Sequence, residues 1–259
     1  IDIIPRTNSV NSDLIAEHPD WFYWIDVNQL STYVPPYVPG VEPGSTADPK
    51  YLELMYASEE VLKHIRKFQP NPQSLDSKKW KTVVSQWKKG KGEILDLVQE
   101  AFGMTVAPAF SDCINDPQPA WNDITFFRMY LDHPTASVPF LPKDENFNPY
   151  ILYDVAKSSL NPGSLINQPL WDLLSQIIPY YQTEFGIDGA RIDMGHALPL
   201  ELVKQIIEAA RKIDPHFCFI AEELDSQNAS VSLEKGYNMI IGGGFTMETR
   251  PKEDKLNAF

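Results

Sequence analysis

The sequence predicts an α/β protein that contains a parallel β-sheet towards the end of the chain. Two short apolar segments, residues 190–194 and 217–221, are separated by a stretch in which apolar residues recur at helical spacing from Leu202 to Ala210. A third apolar segment, residues 237–241, follows. Strands that alternate with helices pair in parallel, because each helix returns the chain to the same end of the sheet.

The earlier elements follow from the same patterns. Residues 1–4 are typical of the end of a β-strand, and residues 51–68 and 78–102 have the apolar spacing of helices. Another helix is predicted over residues 170–185, just before the first strand of the predicted sheet. Over residues 29–150 the alternation of strands and helices is lost, and many of the 22 prolines of the chain fall there. This region is therefore predicted to be irregular.

These patterns divide the chain into three predicted regions. Residues 1–28 contain the strand end and the loop after it, residues 29–150 form an inserted region, and residues 151–259 carry the parallel strands with their helices. The first residues already have the pattern of a strand that is under way. We therefore expect the chain to be the middle part of a larger protein.

Acidic residues outnumber basic ones, 35 against 22, which gives a net charge of −13. This balance argues against nucleic acid and against an anionic membrane surface as the main partner, and it suits a neutral polar substrate. No apolar run approaches the length of a membrane-spanning helix. Cysteine occurs only at Cys113 and Cys218, so a reduced, cytoplasmic location is expected.

Carboxyl groups follow the first two strands of the predicted sheet. Asp193 and Glu222 stand at equivalent places after neighbouring strands, so their side chains are expected to face one another. Such a pair is what the chemistry of a glycosidic bond requires. Arg191, two residues before Asp193, points the same way along the strand and can hold the Asp193 carboxylate ionised, as a nucleophile must be. Glu222 ends an apolar strand, and apolar surroundings favour the protonated form that a general acid needs.

Each of these residues also has a purely structural explanation. Arg191 and Asp193 could form an ion pair that only stabilises the strand, and Glu222 could be a solvated residue at a strand end. His196 could donate to a sugar hydroxyl or cap the helix that follows. The combination of polar groups at two adjacent strand ends favours a functional site.

The motifs around these residues resemble those of a known family. Residues 189–193 (Gly-Ala-Arg-Ile-Asp) resemble the strand-four motif of the α-amylase superfamily of retaining glycoside hydrolases, and residues 219–222 (Phe-Ile-Ala-Glu) resemble its strand-five motif. The wider sequence is similar to one branch of that superfamily, the α-1,4-glucan maltosyltransferases. The similar segments are Ile4 to Thr7, Glu17 to Trp24, Asn115 to Pro119, Asp188 to Pro199 and Ile220 to Leu224.

The resemblance implies a fold, namely part of a TIM (β/α)8 barrel. The chain would contain the end of strand three and strands four to six, with a long irregular insert between strands three and four. It also implies residue roles: Asp193 is the nucleophile and Glu222 the general acid/base. Arg191 supports the nucleophile, His196 lines the sugar site, and Asp2 matches the aspartate of the strand-three motif, close to the substrate.

The reaction that the resemblance implies is the transfer of maltosyl units between α-1,4-glucans by a retaining double displacement. A maltooligosaccharide or α-glucan would serve as donor and as acceptor. The reaction needs neither a cofactor nor a metal. The assembly is left open, and a homodimer is one option.

Two departures from the family pattern leave alternative functions open. Arg6 and Thr7 stand where the amylases have an Asn-His pair that shapes the sugar site. The third catalytic carboxylate of the family, which follows strand seven, has no counterpart in the chain. The alternatives are an α-glucan hydrolase with the same catalytic pair and an inactive glucan-binding fragment.

Overall fold

The structure is a computed structural model that describes residues 1–223 and 226–241. The β-strands are β1 (Asp2–Ile3), β2 (Thr7–Ser9), β3 (Trp24–Asp26), β4 (Ser45–Thr46), β5 (Phe68–Gln69), β6 (Met104–Val106), β7 (Pro108–Ala109), β8 (Cys113–Ile114), β9 (Trp121–Phe126), β10 (Gly189–Ile192), β11 (Cys218–Ala221) and β12 (Met239–Ile240). The α-helices are α1 (Leu14–Glu17), α2 (Leu52–Ala57), α3 (Glu59–Ile65), α4 (Pro72–Leu75), α5 (Ser77–Lys88), α6 (Ile94–Phe102), α7 (Tyr153–Ala156), α8 (Gln168–Phe185), α9 (Leu200–Ile213) and α10 (Ala229–Glu234).

The chain divides into two compact units. The first unit combines Ile1–Arg6 with the chain from Trp171 onward, and the second unit is Thr7–Leu170. The domain divisions predicted after residues 28 and 150 both lie within the second unit. Across the residues that the structure describes, no helix is both long and apolar enough to cross a membrane.

The first unit contains a four-stranded sheet in the order β1-β10-β11-β12. All three pairings are parallel, which confirms the prediction of a parallel sheet. The third predicted strand, residues 237–241, is shorter in the structure and spans Met239–Ile240. The glycines expected to end it, residues 242–244, lie outside the described residues. That this sheet is part of a TIM (β/α)8 barrel stays a prediction, since the described strands form an open four-stranded sheet.

Helix α9 carries the predicted apolar face, and that face is buried. Its buried side chains are Leu202, Val203, Ile206, Ile207 and Ala210. Burial of each larger side chain contributes roughly 1.5–3 kcal/mol. The helix begins after Pro199, and its last turn carries basic residues that complement the helix dipole. Gln182 of α8 donates a 3.2 Å hydrogen bond to the carbonyl of Ala210, so the two helices lie side by side.

The second unit is built from small antiparallel sheets and short helices around one hydrophobic core. The helix predicted over residues 51–68 is present but divided at Ser58 into α2 and α3. The helix predicted over residues 78–102 is likewise divided into α5 and α6. Gly90 lies between them with a φ of +67°, a conformation that glycine adopts without strain. The prediction of an irregular region is therefore confirmed in its short, interrupted elements.

A hydrogen-bonded network around Asp154 is buried in the second unit. The side chain of Asp154 is fully buried, and its Oδ2 accepts hydrogen bonds from the Ser137 hydroxyl and from the Tyr56 hydroxyl, the latter at 2.6 Å. The Tyr56 and Tyr150 hydroxyl oxygens are also 2.6 Å apart. Burial raises the pKa of Asp154, because desolvation of the carboxylate outweighs the hydrogen bonds that favour it.

The raised pKa predicts how stability changes with pH. The stabilisation linked to a raised carboxyl pKa is complete below the unfolded value of about 3.9 and is lost as pH rises through the folded value. Asp154→Asn removes this titration. We therefore expect the wild type to lose stability relative to Asp154→Asn as pH rises from 4.5 to 8, by at most about 1.4 kcal/mol per pH unit. Urea unfolding at several pH values measures this difference.

The matched control is Asp123→Asn, because Asp123 is exposed on β9. The stability difference between Asp123→Asn and the wild type should change little with pH. A wild type that instead gains stability over Asp154→Asn with rising pH would contradict a raised pKa at Asp154.

Candidate active site

The sheet of the first unit brings Asp193 and Glu222 together. Ile192 at the end of β10 is in register with Ala221 at the end of β11, and each is followed by one of the two carboxyl residues. The Glu222 amide donates to the Ile192 carbonyl at 3.4 Å, and the Asp193 amide donates to the Ile3 carbonyl at 2.8 Å. Main-chain hydrogen bonds to neighbouring strands therefore fix the backbone positions of Asp193 and Glu222.

The Arg191 guanidinium group contacts three carboxyl groups. Its Nη1 donates to Asp2 Oδ2 at 2.6 Å, and its Nη2 donates to Asp193 Oδ1 at 2.7 Å. The same Nη2 lies 3.0 Å from Glu222 Oε1. Since one nitrogen contacts both, Asp193 Oδ1 and Glu222 Oε1 can be no farther apart than the sum of these two distances. Arg191 thus holds the predicted pair in a single cluster and confirms the expected contact with Asp193.

The pKa of Asp193 lies above its ordinary value. Burial is the main cause, and the hydrogen bond and negative charge of Glu222 raise the pKa further. The charge of Arg191 and its hydrogen bond lower it, but by less. Arg191 thus favours the ionised form of Asp193, as expected, but burial and Glu222 together have the larger effect on the pKa. The two carboxyl groups are close enough for a hydrogen bond between them.

A backbone amide completes the contacts of Glu222. The Met194 N–H donates a 2.7 Å hydrogen bond to Glu222 Oε2. Met194 has a φ of 54°, in the left-handed region, which costs a residue with a side chain roughly 1–2 kcal/mol. Such strain is common where backbone geometry serves a site. Met194 is not among the site residues predicted from the sequence, because nothing in a methionine side chain signals a left-handed backbone.

The remaining predicted site residues differ in how closely they join the cluster. Asp2 contacts Arg191 directly although its side chain is 55% exposed, so it forms the solvent side of the cluster. His196 is half-buried in the turn that follows β10, three residues after Asp193. The hydrogen bonds and ion pairs that define the cluster run through Asp2, Arg191, Asp193 and Glu222. A sugar-lining role for His196 stays a prediction.

The positive charge in this cluster comes from a side chain. Among the described residues, no group of three or more His, Cys, Asp or Glu side chains is arranged to hold a metal ion. Arg191 supplies the hydrogen-bond donors and the charge that three carboxyl groups need. The cluster therefore holds two carboxyl groups side by side and keeps a third, that of Asp2, oriented.

Removal of the guanidinium tests its role. We expect Arg191→Met to destabilise the protein by about 1–2 kcal/mol at pH 7, a value reduced for partial exposure, because three carboxyl groups lose their counter-charge. The loss should shrink at pH 4, because the Asp193 carboxyl, whose pKa is raised, then carries less negative charge for Arg191 to pair with. Denaturant unfolding at both pH values measures it.

Arg66→Met is the matched control, because exposed Arg66 also pairs with two glutamates, Glu59 and Glu145. It should change stability little. An Arg191→Met effect as small as that of the control, or one independent of pH, would show that the cluster does not depend on the guanidinium.

Comparison of the sequence with known proteins identifies no relative of this chain. The chain matches no protein-family model, and no curated protein matches it significantly.

Proposed function

We propose that the chain carries the catalytic pair of a retaining glycosyltransferase of the α-amylase type, which moves maltosyl units between α-1,4-glucans. The observation that carries this proposal is the contact of Asp193 and Glu222 with one guanidinium nitrogen at the ends of two adjacent parallel strands. Retaining enzymes need two carboxyl groups about 5 Å apart, whereas inverting enzymes need at least about 6.5 Å. Because Arg191 Nη2 contacts both groups, Asp193 Oδ1 and Glu222 Oε1 are closer together than the separation that inverting enzymes need.

The proposed first step forms a covalent intermediate. Asp193 Oδ attacks the anomeric carbon of the donor glucan, and the bond from that carbon to the glycosidic oxygen breaks. Glu222 gives its proton to that oxygen, so the shortened glucan leaves with a free hydroxyl. The glycosyl group remains attached to Asp193 as an ester.

The second step reverses these roles. Glu222, now a carboxylate, takes the proton of an acceptor hydroxyl, whose oxygen attacks the anomeric carbon and releases Asp193. Two inversions restore the original α configuration, and Glu222 regains its proton. Each cycle begins and ends with one proton on the pair.

The distance between the carboxyl groups sets a condition for substrate binding. Asp193 and Glu222 are in hydrogen-bond contact, which is closer than the ~5 Å that the reacting sugar requires. A rotation of the Glu222 side chain opens this gap and removes the two effects by which Glu222 raises the pKa of Asp193. Arg191 then becomes the dominant neighbour of Asp193 and stabilises its ionised form. Substrate entry would in this way generate the nucleophile.

The substrate assignment rests on the sequence resemblance and on charge. A net charge of −13 suits a neutral glucan better than an anionic substrate. The maltosyl unit comes from the resemblance to the maltosyltransferases alone. Transfer in preference to hydrolysis requires an acceptor site that binds sugar and excludes water.

A product ladder from maltotetraose tests the proposal. The chain should produce glucans that differ from the substrate by two glucose units, with little free glucose. Glu222→Gln should lower turnover by about 10²–10⁴-fold, because proton transfer is lost, and Asp193→Asn by at least as much. Chromatography of the products with time measures both effects.

Glu223→Gln is the matched control, since it changes the neighbouring glutamate and should leave the ladder intact. Glucose as the main product would indicate the hydrolase. Binding of maltotetraose without any product would indicate the glucan-binding fragment. A ladder that survives Asp193→Asn or Glu222→Gln would overturn the catalytic assignment.

A further inference from the structure

The turn after Asp193 is held in a specific shape. The Ala197 amide donates to the Met194 carbonyl at 2.9 Å, and the Leu198 amide donates to the Gly195 carbonyl at 3.4 Å. Met194, at the start of this turn, has the left-handed backbone that directs its N–H at Glu222. A left-handed residue with a side chain persists only where its surroundings enforce it. The packing around the turn should therefore identify the residue that enforces this shape.

Tyr237 packs against this turn at Gly195. A Cβ atom placed on Gly195 would lie 2.5 Å from the Tyr237 hydroxyl oxygen, closer than such atoms approach. The other near atom of a side chain, Ile192 Cγ2, would lie 3.3 Å away. The Tyr237 hydroxyl thus occupies the space of the missing side chain. The backbone of Gly195 is outside the left-handed region, so this hydroxyl is the main obstacle to alanine there.

Tyr237 is itself fixed to the strand that carries Glu222. Its neighbour Asn238 donates its amide to the Phe219 carbonyl at 2.8 Å and accepts from the Phe219 amide through Oδ1 at 2.8 Å. Phe219 lies on β11, three residues before Glu222. Arg211 also donates to Asn238 Oδ1 at 2.9 Å. The Tyr237 ring is therefore held in place relative to β11, the strand that Glu222 follows.

The Tyr237 hydroxyl is buried and takes part in no hydrogen bond with the described part of the chain. The residue is 4% exposed. Burial raises the pKa of this hydroxyl, so it stays neutral. A buried hydroxyl without a partner is a cost that phenylalanine would avoid. Its packing role is the close approach to Gly195.

We propose that Tyr237 is a positioning residue for the Asp193–Glu222 pair. Its hydroxyl fills the space beside Gly195 and holds the turn in the shape that directs the Met194 N–H at Glu222. The inference rests on the proposed function for its meaning in catalysis, but the contact itself can be tested without turnover. In this proposal Tyr237, a buried residue distant in sequence from Asp193, controls the orientation of Glu222, the general acid.

The test adds a methyl group at Gly195, removes the hydroxyl at Tyr237, and combines the two changes. Gly195→Ala adds a methyl group where the hydroxyl lies, Tyr237→Phe removes the hydroxyl, and the double variant puts the methyl group in the space that the hydroxyl leaves. The readout is the Met194 amide in an NMR spectrum of the full chain: its proton chemical shift and its hydrogen-exchange protection. Both report the hydrogen bond to Glu222 directly. Glu222→Gln identifies the part of the signal that depends on the carboxylate.

We expect Gly195→Ala to lower the protection of the Met194 amide by about tenfold or more, and Tyr237→Phe to lower it by a smaller factor. The double variant should recover most of the wild-type protection, so the two changes should not add. Gly189→Ala is the matched control, because its Cβ would press on the Cys218 carbonyl at 3.0 Å, away from Tyr237. Tyr237→Phe should not rescue it.

Additive effects in the double variant would overturn the proposal, as would a Met194 amide that is unchanged while the melting temperature falls. The second result would mean that Tyr237 has only a structural role. These results do not depend on turnover, whereas the product ladder of the unaltered chain decides the proposed function. Failure of one is therefore distinguishable from failure of the other.

Discussion

The contact of one guanidinium group with three carboxyl groups is the interaction on which the rest of the site depends. Without Arg191, Asp2, Asp193 and Glu222 would repel one another across a partly desolvated space. With it, the carboxyl groups of Asp193 and Glu222 lie in one cluster. The chemistry that we propose, in which one group carries a proton and the other a negative charge, needs both groups at this place.

The sheet explains why this contact forms. Arg191 and Asp193 are two residues apart, and side chains two apart in a strand point to the same face. The parallel register places Glu222 beside Asp193 and Asp2 opposite Arg191. Met194, which has a left-handed backbone, then donates its N–H to Glu222 Oε2. Strand pairing therefore sets the coarse geometry and the following turn sets the fine geometry.

Much of this could be predicted from the sequence, for physical reasons. Apolar periodicity predicted β10, α9 and β11, because these elements bury one face and their polar residues mark the ends. The proximity of Asp193 to Glu222 followed from the equivalence of neighbouring strand ends. The left-handed Met194 could not be predicted, since it depends on the packing of the turn. The direction of the Asp193 pKa could not be predicted either, because it is a balance of burial, Glu222 and Arg191 that requires the distances.

The proposed mechanism requires a covalent bond between Asp193 and the sugar. The most direct measurement is mass spectrometry of the chain after incubation with a fluorinated maltosyl fluoride, whose fluorine slows release of the intermediate. We expect an added maltosyl mass on the peptide that contains Asp193, and no addition in Asp193→Asn. An adduct on another residue, or a substrate that turns over without any adduct, would rule out Asp193 as the nucleophile.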